Sequence, residues 1–272
     1  MRAFRLESPA ELEDLLTATL FGLLTLGIEV TPAPVGVVLL AYFAERPGLE
    51  DELARALLRH PEVRFAPTPL PDVDWVARSR ESFRAFDAPP FRIVPRWEAG
   101  EVPEPRALIV EPGRAFGTGT HESTRLCLAA LGDLRPPLGR VLDVGTGTGL
   151  LAVAAARLGA SVVFALDRDP EAIDSARLHA RLNGACLHLL RGDLAAALLP
   201  STSFDVIVAN LTAPLLEACL GPLCALRAPS GCLILSGILV EDVDALRGAF
   251  GSELTVRVRV DGEWAALLVG PR

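Results

Sequence analysis

The chain contains no lysine, and all 26 of its basic residues are arginine, which is typical of a GC-rich coding sequence. Acidic residues outnumber the arginines, so the formal net charge is −8 at pH 7. A protein that binds nucleic acid mainly through the phosphates needs a positive surface. We therefore expect no direct contact with nucleic acid.

No apolar stretch reaches the length of about 20 residues that a membrane-spanning helix needs. Leu15–Leu26 is apolar, but acidic residues precede it and no basic segment does, which argues against a signal peptide. Half of the residues are hydrophobic and 22% are charged, which allows a sizeable core and excludes a wholly disordered chain. The sequence predicts a soluble, cytoplasmic protein without a membrane partner.

Paired cysteines are missing as well, because the five cysteines are an odd number and form no Cys-x-x-Cys motif. Most of them stand among apolar residues, where a reduced cysteine acts as a small hydrophobic side chain. We predict neither a metal site nor a disulfide framework. The cysteines are Cys127, Cys186, Cys219, Cys224 and Cys232.

The composition changes along the chain, and this predicts three segments. Residues 1–67 have the pattern strand-helix-strand-strand-helix-strand of a small ferredoxin-like α+β domain. Residues 68–105 are rich in proline and predict a linker with some structure of its own, in which a short helix at Trp75–Phe86 lies between two extended pieces. Up to Trp75 the chain has 12 acidic residues and 6 arginines, which suits a basic partner, although a solvated surface would have the same composition.

Residues 106–272 alternate between apolar strands and helical segments, which predicts a doubly wound, mainly parallel sheet of seven strands. The end of the chain differs from this pattern. Asp261-Gly262 joins two β-rich runs and is a strong hairpin signal. The α/β sheet is therefore expected to finish with an antiparallel hairpin.

A glycine-rich turn follows the first strand of this region and predicts a nucleoside site. Gly145, Gly147 and Gly149 let a ligand lie against bare backbone before the next helix. Their spacing is G-x-G-x-G rather than the dinucleotide pattern G-x-G-x-x-G, and Asp143 precedes them. This arrangement resembles that of S-adenosylmethionine-dependent methyltransferases, in which the acid helps to hold the ammonium group of the cofactor.

Three further polar residues end the following strands. Asp167 lies 22 residues beyond Gly145, where a carboxylate can accept both ribose hydroxyls, although NAD enzymes have an acid at the same place. Asp193 can receive an adenine amino group or cap a loop. Asn210 can accept hydrogen bonds from a substrate amine, or it can cap the next helix. We interpret the acids together as a cofactor site, with Asn210 as the catalytic, substrate-orienting residue.

The run Ile109–Leu128, together with Val141–Gly149 and Asn210–Leu215, resembles the signature of the bacterial ribosomal protein L11 methyltransferases. The resemblance covers about residues 75–272. It implies an S-adenosylmethionine-dependent enzyme that methylates the α-amine and lysine ε-amines of ribosomal protein L11, and a small N-terminal domain that recognises this substrate.

The resemblance also implies roles for individual residues. The cofactor contacts of the family map onto Thr124, Gly145, Asp167 and Asn210, and the Phe116–His121 loop would close over the cofactor.

The residues of this loop agree with a role at the cofactor site. Gly117 and Gly119 permit unusual backbone angles, and Thr120 and its neighbours supply hydroxyls. His121 can accept a proton or fix the loop.

Some alternatives stay open at the level of sequence. A methyltransferase of the same fold can act on another protein or on a small amine, and the acid at Asp167 also allows a NAD-dependent oxidoreductase.

The chain departs from the family pattern in the linker, where the family usually has a second tryptophan and this chain has Ser79. Nothing in the sequence points to an obligate assembly, so we expect a monomer.

Overall fold

The computed structural model describes residues 2–23, 25, 27–34, 36–58, 60–69, 83–100, 105–112, 117–194 and 202–272. The chain divides into two compact units, Met1–Trp75 and Val76–Arg272. Each unit has a hydrophobic core of its own.

The described residues of the smaller unit form four antiparallel strands and two α-helices. They are β1 (Arg2–Ser8), α1 (Glu13–Gly22), β2 (Gly27–Pro32), β3 (Val37–Phe43), α2 (Leu49–Leu57) and β4 (Arg64–Thr68). The strands lie in the order β2-β3-β1-β4. In β1, Phe4 and Leu6 are two residues apart and point to the same buried face. In α2 the buried residues are four apart, at Leu49, Leu53 and Leu57, so one face of this helix closes the core.

The larger unit contains a three-stranded sheet, and two of its strands lie in the segment that the sequence placed in a linker. Its strands are β5 (Phe86–Ala88), β6 (Phe91–Pro95) and β7 (Ala107–Val110), with β6 and β7 parallel. Phe91 and Ile93 are 4% and 0% exposed and belong to the core of the unit. Arg92 between them is exposed, so these three residues alternate with the period of two that is typical of a strand. The high proline content of the stretch hides this pattern in the sequence.

The predicted helix at Trp75–Phe86 is wrong at its C-terminal end, since residues 83–85 are irregular and Phe86 begins β5. The rest of that prediction, including Trp75 and Ser79, lies outside the described residues.

The main sheet has seven strands. They are β8 (Gly139–Val144), β9 (Ala160–Asp167), β10 (His188–Arg191), β11 (Phe204–Asn210), β12 (Arg227–Leu239), β13 (Leu254–Asp261) and β14 (Trp264–Pro271). Their order is β10-β9-β8-β11-β12-β14-β13, and this confirms the predicted fold class. Neighbouring strands from β10 to β12 are parallel, and β14 is antiparallel to both β12 and β13. The hairpin predicted at Asp261-Gly262 joins β13 and β14.

Helices cover both faces of this sheet. Val141 and Leu142, adjacent in β8, belong to two different core clusters, because successive side chains of a strand point to opposite faces. The helices are α3 (Glu122–Gly132), α4 (Leu150–Arg157), α5 (Pro170–Leu182), α6 (Ala213–Leu226) and α7 (Val243–Gly248). Within the described ranges, no helix has both the length and the apolar character needed to cross a membrane.

The parallel strands place the predicted polar residues together. Because β8, β9 and β11 run in the same direction, their carboxyl ends lie at one edge of the sheet, at Val144, Asp167 and Asn210. Ligands of open α/β sheets bind at this edge. The candidate site is therefore located there.

Candidate functional site

The cofactor turn, Gly145–Gly149, connects β8 to α4. Gly145, Gly147 and Gly149 have φ angles of 70°, 53° and 79°, which side chains other than glycine rarely adopt. The N–H of Gly145 donates to the carbonyl of Leu166 over 2.8 Å, which ties the turn to β9. A Cβ at Gly149 would lie 2.8 Å from the Cβ of Ala176 in α5. The glycines therefore form the turn and also permit α5 to pack closely against it.

Asp143 lies under this turn and is 1% exposed. Its Oδ2 accepts from the hydroxyl of Thr146 at 2.6 Å and from the N–H of Ala152 at 3.1 Å. Its Oδ1 is buried and has no hydrogen-bond partner among the residues that the structure describes. A buried acceptor left without a donor is rare in folded proteins.

Burial raises the pKa of the Asp143 carboxyl to about 7, although the bonds from Thr146 and Ala152 oppose this shift. Desolvation disfavours the charged form of an acid. A cation beside Oδ1 would restore the ionised carboxylate, so the group favours a positively charged partner.

Asp167 ends β9 beside the cofactor turn. Its Oδ2 accepts from the N–H of Gly147 at 3.0 Å, and its Oδ1 accepts from the N–H of Asp169 at 3.0 Å. These bonds hold the carboxylate in one orientation. Because each carboxylate oxygen can accept more than one hydrogen bond, Asp167 can still receive two hydroxyl groups.

Asp193 follows β10 and is less enclosed than the other acids. Its Oδ1 lies 3.6 Å from the Nε of Arg168, and about 70% of both side chains is exposed. The N–H of Gly192 donates to the carbonyl of Asp167 over 2.9 Å, so the ends of β9 and β10 lie together. Residues 195–201, which follow, are outside the described part of the chain.

Asn210 ends β11 and contacts the first turn of α3. Its Nδ2 donates to the hydroxyl of Thr124 at 3.2 Å, and Thr124 is fully buried. The Oδ1 of Asn210 is buried without a partner in the described residues. A Cβ at Gly237 would lie 2.9 Å from this oxygen, so any side chain larger than that of glycine would crowd the Asn210 amide.

The glycine-threonine loop, Gly117–Thr120, rests on the cofactor turn. The hydroxyl of Thr148 donates to the carbonyl of Gly117 at 2.6 Å. Gly117 and Gly119 have φ angles of 97° and 91°, as their predicted conformational role requires. Phe116, the predicted first residue of the lid, lies outside the described residues.

His121 caps the N-terminus of α3. Its Nδ1 accepts from the N–H of Ser123 at 3.2 Å and lies 2.8 Å from the Ser123 hydroxyl. Since Nδ1 accepts from the amide, the proton of a neutral ring is on Nε2. The ring of His121 meets the ring of Trp264 edge-on, with the centroids 4.4 Å apart. The geometry gives His121 a role in fixing the end of the loop.

Helix α5 holds the strand that leads towards the loop. The N–H of Glu111 donates to the Nε2 of His179 at 3.0 Å. The side chain of Asn183 accepts from the N–H of Ile109 at 2.7 Å and donates to its carbonyl at 2.8 Å. Burial lowers the pKa of His179, so the ring is kept neutral as an acceptor.

The sequence did not indicate four of these positions. Thr146 and Thr148 stand between the glycines, and their hydroxyls within a tight turn are a signal that was available. His179 and Asn183 contact backbone 68 and 74 residues away. No local pattern in the sequence predicts a contact between residues so far apart.

Comparison with known families matches residues 29–270 to the model described as ribosomal protein L11 methyltransferase (PrmA). This match covers both the strands of the main sheet and the candidate site.

Relatives with the same description come from several bacteria. The Deinococcus radiodurans protein is 40% identical over an alignment 237 positions long, and the alignment covers 82% of this chain and 84% of that protein. The Thermus thermophilus protein is 39% identical over an alignment 242 positions long that covers 82% of this chain and 93% of that one. The Geobacter metallireducens protein is 38% identical over an alignment 290 positions long, gaps included, that covers 96% of this chain and 95% of that one.

One solved structure is similar over most of its own length. The ribosomal protein L11 methylase of Lactobacillus delbrueckii subsp. bulgaricus is 29% identical, with a TM-score of 0.63. The alignment covers 70% of this chain and 100% of that one.

Proposed function

The chain belongs to the ribosomal protein L11 methyltransferase family, and from this premise we propose that it methylates the α-amine and lysine ε-amines of ribosomal protein L11. Membership of the family makes the chain an S-adenosylmethionine-dependent methyltransferase. The alternative of a NAD-dependent oxidoreductase is thereby set aside.

The observation that supports the proposal best is a pair of buried acceptors without partners. The Oδ1 atoms of Asp143 and Asn210 both lack a donor among the described residues. S-adenosylmethionine has an ammonium group, and the substrate has an amine, so each acceptor has a donor of the right kind. The site thus fits the cofactor that the family uses.

The remaining residues suit the other parts of the cofactor. Asp167 would accept the ribose hydroxyls, and Asp193 would accept the adenine amino group. The hydroxyl of Thr124 lies in the first turn of α3, where the helix dipole favours the cofactor carboxylate. Gly145, Gly147 and Gly149 would form the floor.

When bound, the cofactor supplies a methyl group on a positively charged sulfur, so the protein needs no metal ion and no covalent nucleophile. Its task is orientation, which can lower a barrier by about 7–11 kcal/mol. The Oδ1 of Asn210 would accept an N–H of the substrate and direct the lone pair of the nitrogen.

The substrate nitrogen must first lose a proton. A lysine amine has a reference pKa of about 10.4. Desolvation near the cofactor would lower this value, and water can take up the released proton. No residue is therefore assigned as an obligatory base.

We place substrate recognition in residues 1–67 and assign residues 106–272 to methyl transfer, with 68–105 between them. The excess of acidic residues before Trp75 suits a basic ribosomal protein. Such a substrate places the reaction in the cytoplasm, and we propose a monomeric enzyme.

Mass spectrometry of ribosomal protein L11 after incubation with the enzyme and S-adenosylmethionine tests this proposal. We expect added methyl groups on L11 and none with the Asn210→Ala variant. Labelling of another basic ribosomal protein but not of L11 would refute the substrate assignment and leave the methyltransferase activity in place.

A further inference from the structure

The turn between β13 and β14 lies against the N-terminus of α3. In the sequence, this turn is far from the cofactor turn. The Nη2 of Arg125, in the first turns of α3, donates to the Oδ2 of Asp261 at 3.2 Å. The rings of His121 and Trp264 also meet there. We call Asp261–Trp264 the hairpin turn.

The same arginine contacts the glycine-threonine loop. The Nη1 of Arg125 donates to the carbonyl of Thr120, the last residue of this loop. Its Nη2 also donates to Glu122 at 3.0 Å. One planar guanidinium group thus joins the loop, the start of α3 and the hairpin turn.

The other end of the loop contacts the cofactor turn, through the bond from Thr148 to Gly117. A Cβ at Gly119 would lie 3.0 Å from the side chain of Ile93 and 3.2 Å from that of Leu150. The described loop is therefore packed on one side against the cofactor site and held on the other by Arg125.

We propose that the hairpin turn positions the glycine-threonine loop for cofactor retention, and that Arg125 and Asp261 are positioning residues for the methyl-transfer reaction. This inference rests on the proposed cofactor site. It gives a role to the C-terminal hairpin, which the proposed function does not otherwise use.

The mechanism acts through orientation. Asp261 fixes the guanidinium group of Arg125 by a charge-assisted hydrogen bond. The fixed guanidinium then holds the carbonyl of Thr120, and with it the path of the loop. Without Asp261 the arginine can rotate, and the loop opens more often.

The chain provides a matched control at the other end of α3. Arg259, also in β13, forms an ion pair with Asp133 at the C-terminal end of the same helix. Arg125 and Arg259 have similar exposure, 31% and 35%. Loss of the Arg259 pair weakens the same contact between hairpin and helix, but this pair does not touch the loop.

The test compares Asp261→Asn, Arg125→Gln and Arg259→Gln with the wild-type enzyme. Asparagine is chosen at position 261 because Asn-Gly supports the same hairpin turn as Asp-Gly. Binding and dissociation of S-adenosylhomocysteine are measured by titration calorimetry and stopped flow, and KM and kcat are measured with S-adenosylmethionine.

We expect Asp261→Asn and Arg125→Gln to raise the Kd, the dissociation rate and the cofactor KM by about five- to tenfold, or about 1.0–1.4 kcal/mol. Their kcat at saturating cofactor should stay within about twofold. Arg259→Gln should leave Kd and KM unchanged, although its Tm falls as much as that of the other variants.

Equal cofactor binding in Asp261→Asn and the wild type, or an equal loss in Arg259→Gln, would overturn the inference and leave the proposed function intact. Failure of the wild-type enzyme to bind S-adenosylhomocysteine would instead refute the proposed cofactor site, and the inference with it.

Discussion

The Nδ2 of Asn210 donates to the hydroxyl of Thr124 over 3.2 Å, so the end of β11 and the first turn of α3 are joined at the candidate site. With Nδ2 engaged in this bond, the acceptor Oδ1 is the end of the amide that is buried without a donor among the described residues. The N–H of a substrate amine needs a hydrogen-bond acceptor such as Oδ1, whereas the donor Nδ2 in the same place would repel that N–H. Thr124 therefore orients the proposed catalytic residue.

The first prediction is that Thr124→Val lowers kcat by about tenfold or more. Valine keeps the shape of threonine but leaves the partly buried Nδ2 of Asn210 without this acceptor, at a cost of about 1–3 kcal/mol. The amide can then rotate and lose its orientation. Steady-state methylation of ribosomal protein L11 measures the effect.

Thr124→Ser is the matched variant, because it retains the hydroxyl and removes only a methyl group. It should keep most of the wild-type kcat. A serine variant that is as slow as the valine variant would show that packing, and not the hydrogen bond, matters at this position.

The second prediction is that Asp143→Asn weakens cofactor binding by about tenfold, which is about 1.4 kcal/mol. The carbonyl of asparagine would accept from Thr146 and Ala152, as Oδ2 does now. Its NH₂ group would then stand where the unpartnered Oδ1 stands, and a donor there repels an ammonium group. Calorimetric titration with S-adenosylhomocysteine measures the loss.

The pH dependence of binding provides a separate check on Asp143. Its pKa in the free protein is about 7, so wild-type affinity should rise as the pH increases from 6 to 7 and the carboxylate ionises. The Asp143→Asn variant should lack this rise. Measurements stop near pH 7 because an α-amino group titrates at about 7.7–8.0.

The ionisation of Asp143 should affect thermal stability in the opposite direction to cofactor affinity, so that the protein becomes less stable as the pH rises. In the folded protein Asp143 keeps its proton up to about pH 7, whereas the unfolded chain loses it near the ordinary value of 3.8. The folded state thus binds more protons, and the free energy of unfolding falls as the pH rises through this window. Asp143→Asn should remove this contribution.

The third prediction concerns Gly237, whose φ angle is 84°. A Cβ there would lie 2.9 Å from the Oδ1 of Asn210 and 2.5 Å from the carbonyl of Leu211. Gly237→Ala should therefore lower kcat by about tenfold, since the acceptor is displaced, and should strain the backbone by about 1–3 kcal/mol. Activity at saturating cofactor and thermal unfolding measure the two effects.

Gly248→Ala serves as the control for this substitution. Gly248 lies in α7, and a Cβ there meets nothing within 4 Å. Its activity should equal that of the wild type. A normal kcat in Gly237→Ala would contradict the placement of the substrate amine at Asn210.

The sequence predicted the parts of the site that follow from strand ends. Asp167 and Asn210 each stand at the end of a parallel strand, and parallel strands bring such residues to one edge of the sheet. Gly145 and its neighbours were predictable because a positive φ angle favours glycine. In these cases a local signal determines the position.

The supporting contacts were not predictable for a physical reason. Arg125 and Asp261 are 136 residues apart, and their pairing depends on how the hairpin packs on α3. Phe91 and Ile93 alternate like a strand, but they lie in a proline-rich stretch whose composition resembles a linker. Tertiary packing determines both features, and no local propensity encodes it.

The last prediction concerns His179, whose neutral ring accepts from the N–H of Glu111 and whose Nδ1 lies 2.8 Å from the carbonyl of Ser175. Burial lowers its pKa below the ordinary 6.5, so the unfolded chain binds a proton more readily. The contribution of His179 to the free energy of unfolding is therefore fully present above about pH 6.5 and falls as the pH decreases towards the folded pKa.

His179→Gln, which can still accept and donate, should flatten the change in Tm between pH 8 and pH 5.5. His179→Phe should also flatten it but lower the Tm at pH 8, because the N–H of Glu111 loses its acceptor at a cost of about 1–3 kcal/mol. An unchanged pH slope in both variants would show that His179 does not couple protonation to folding.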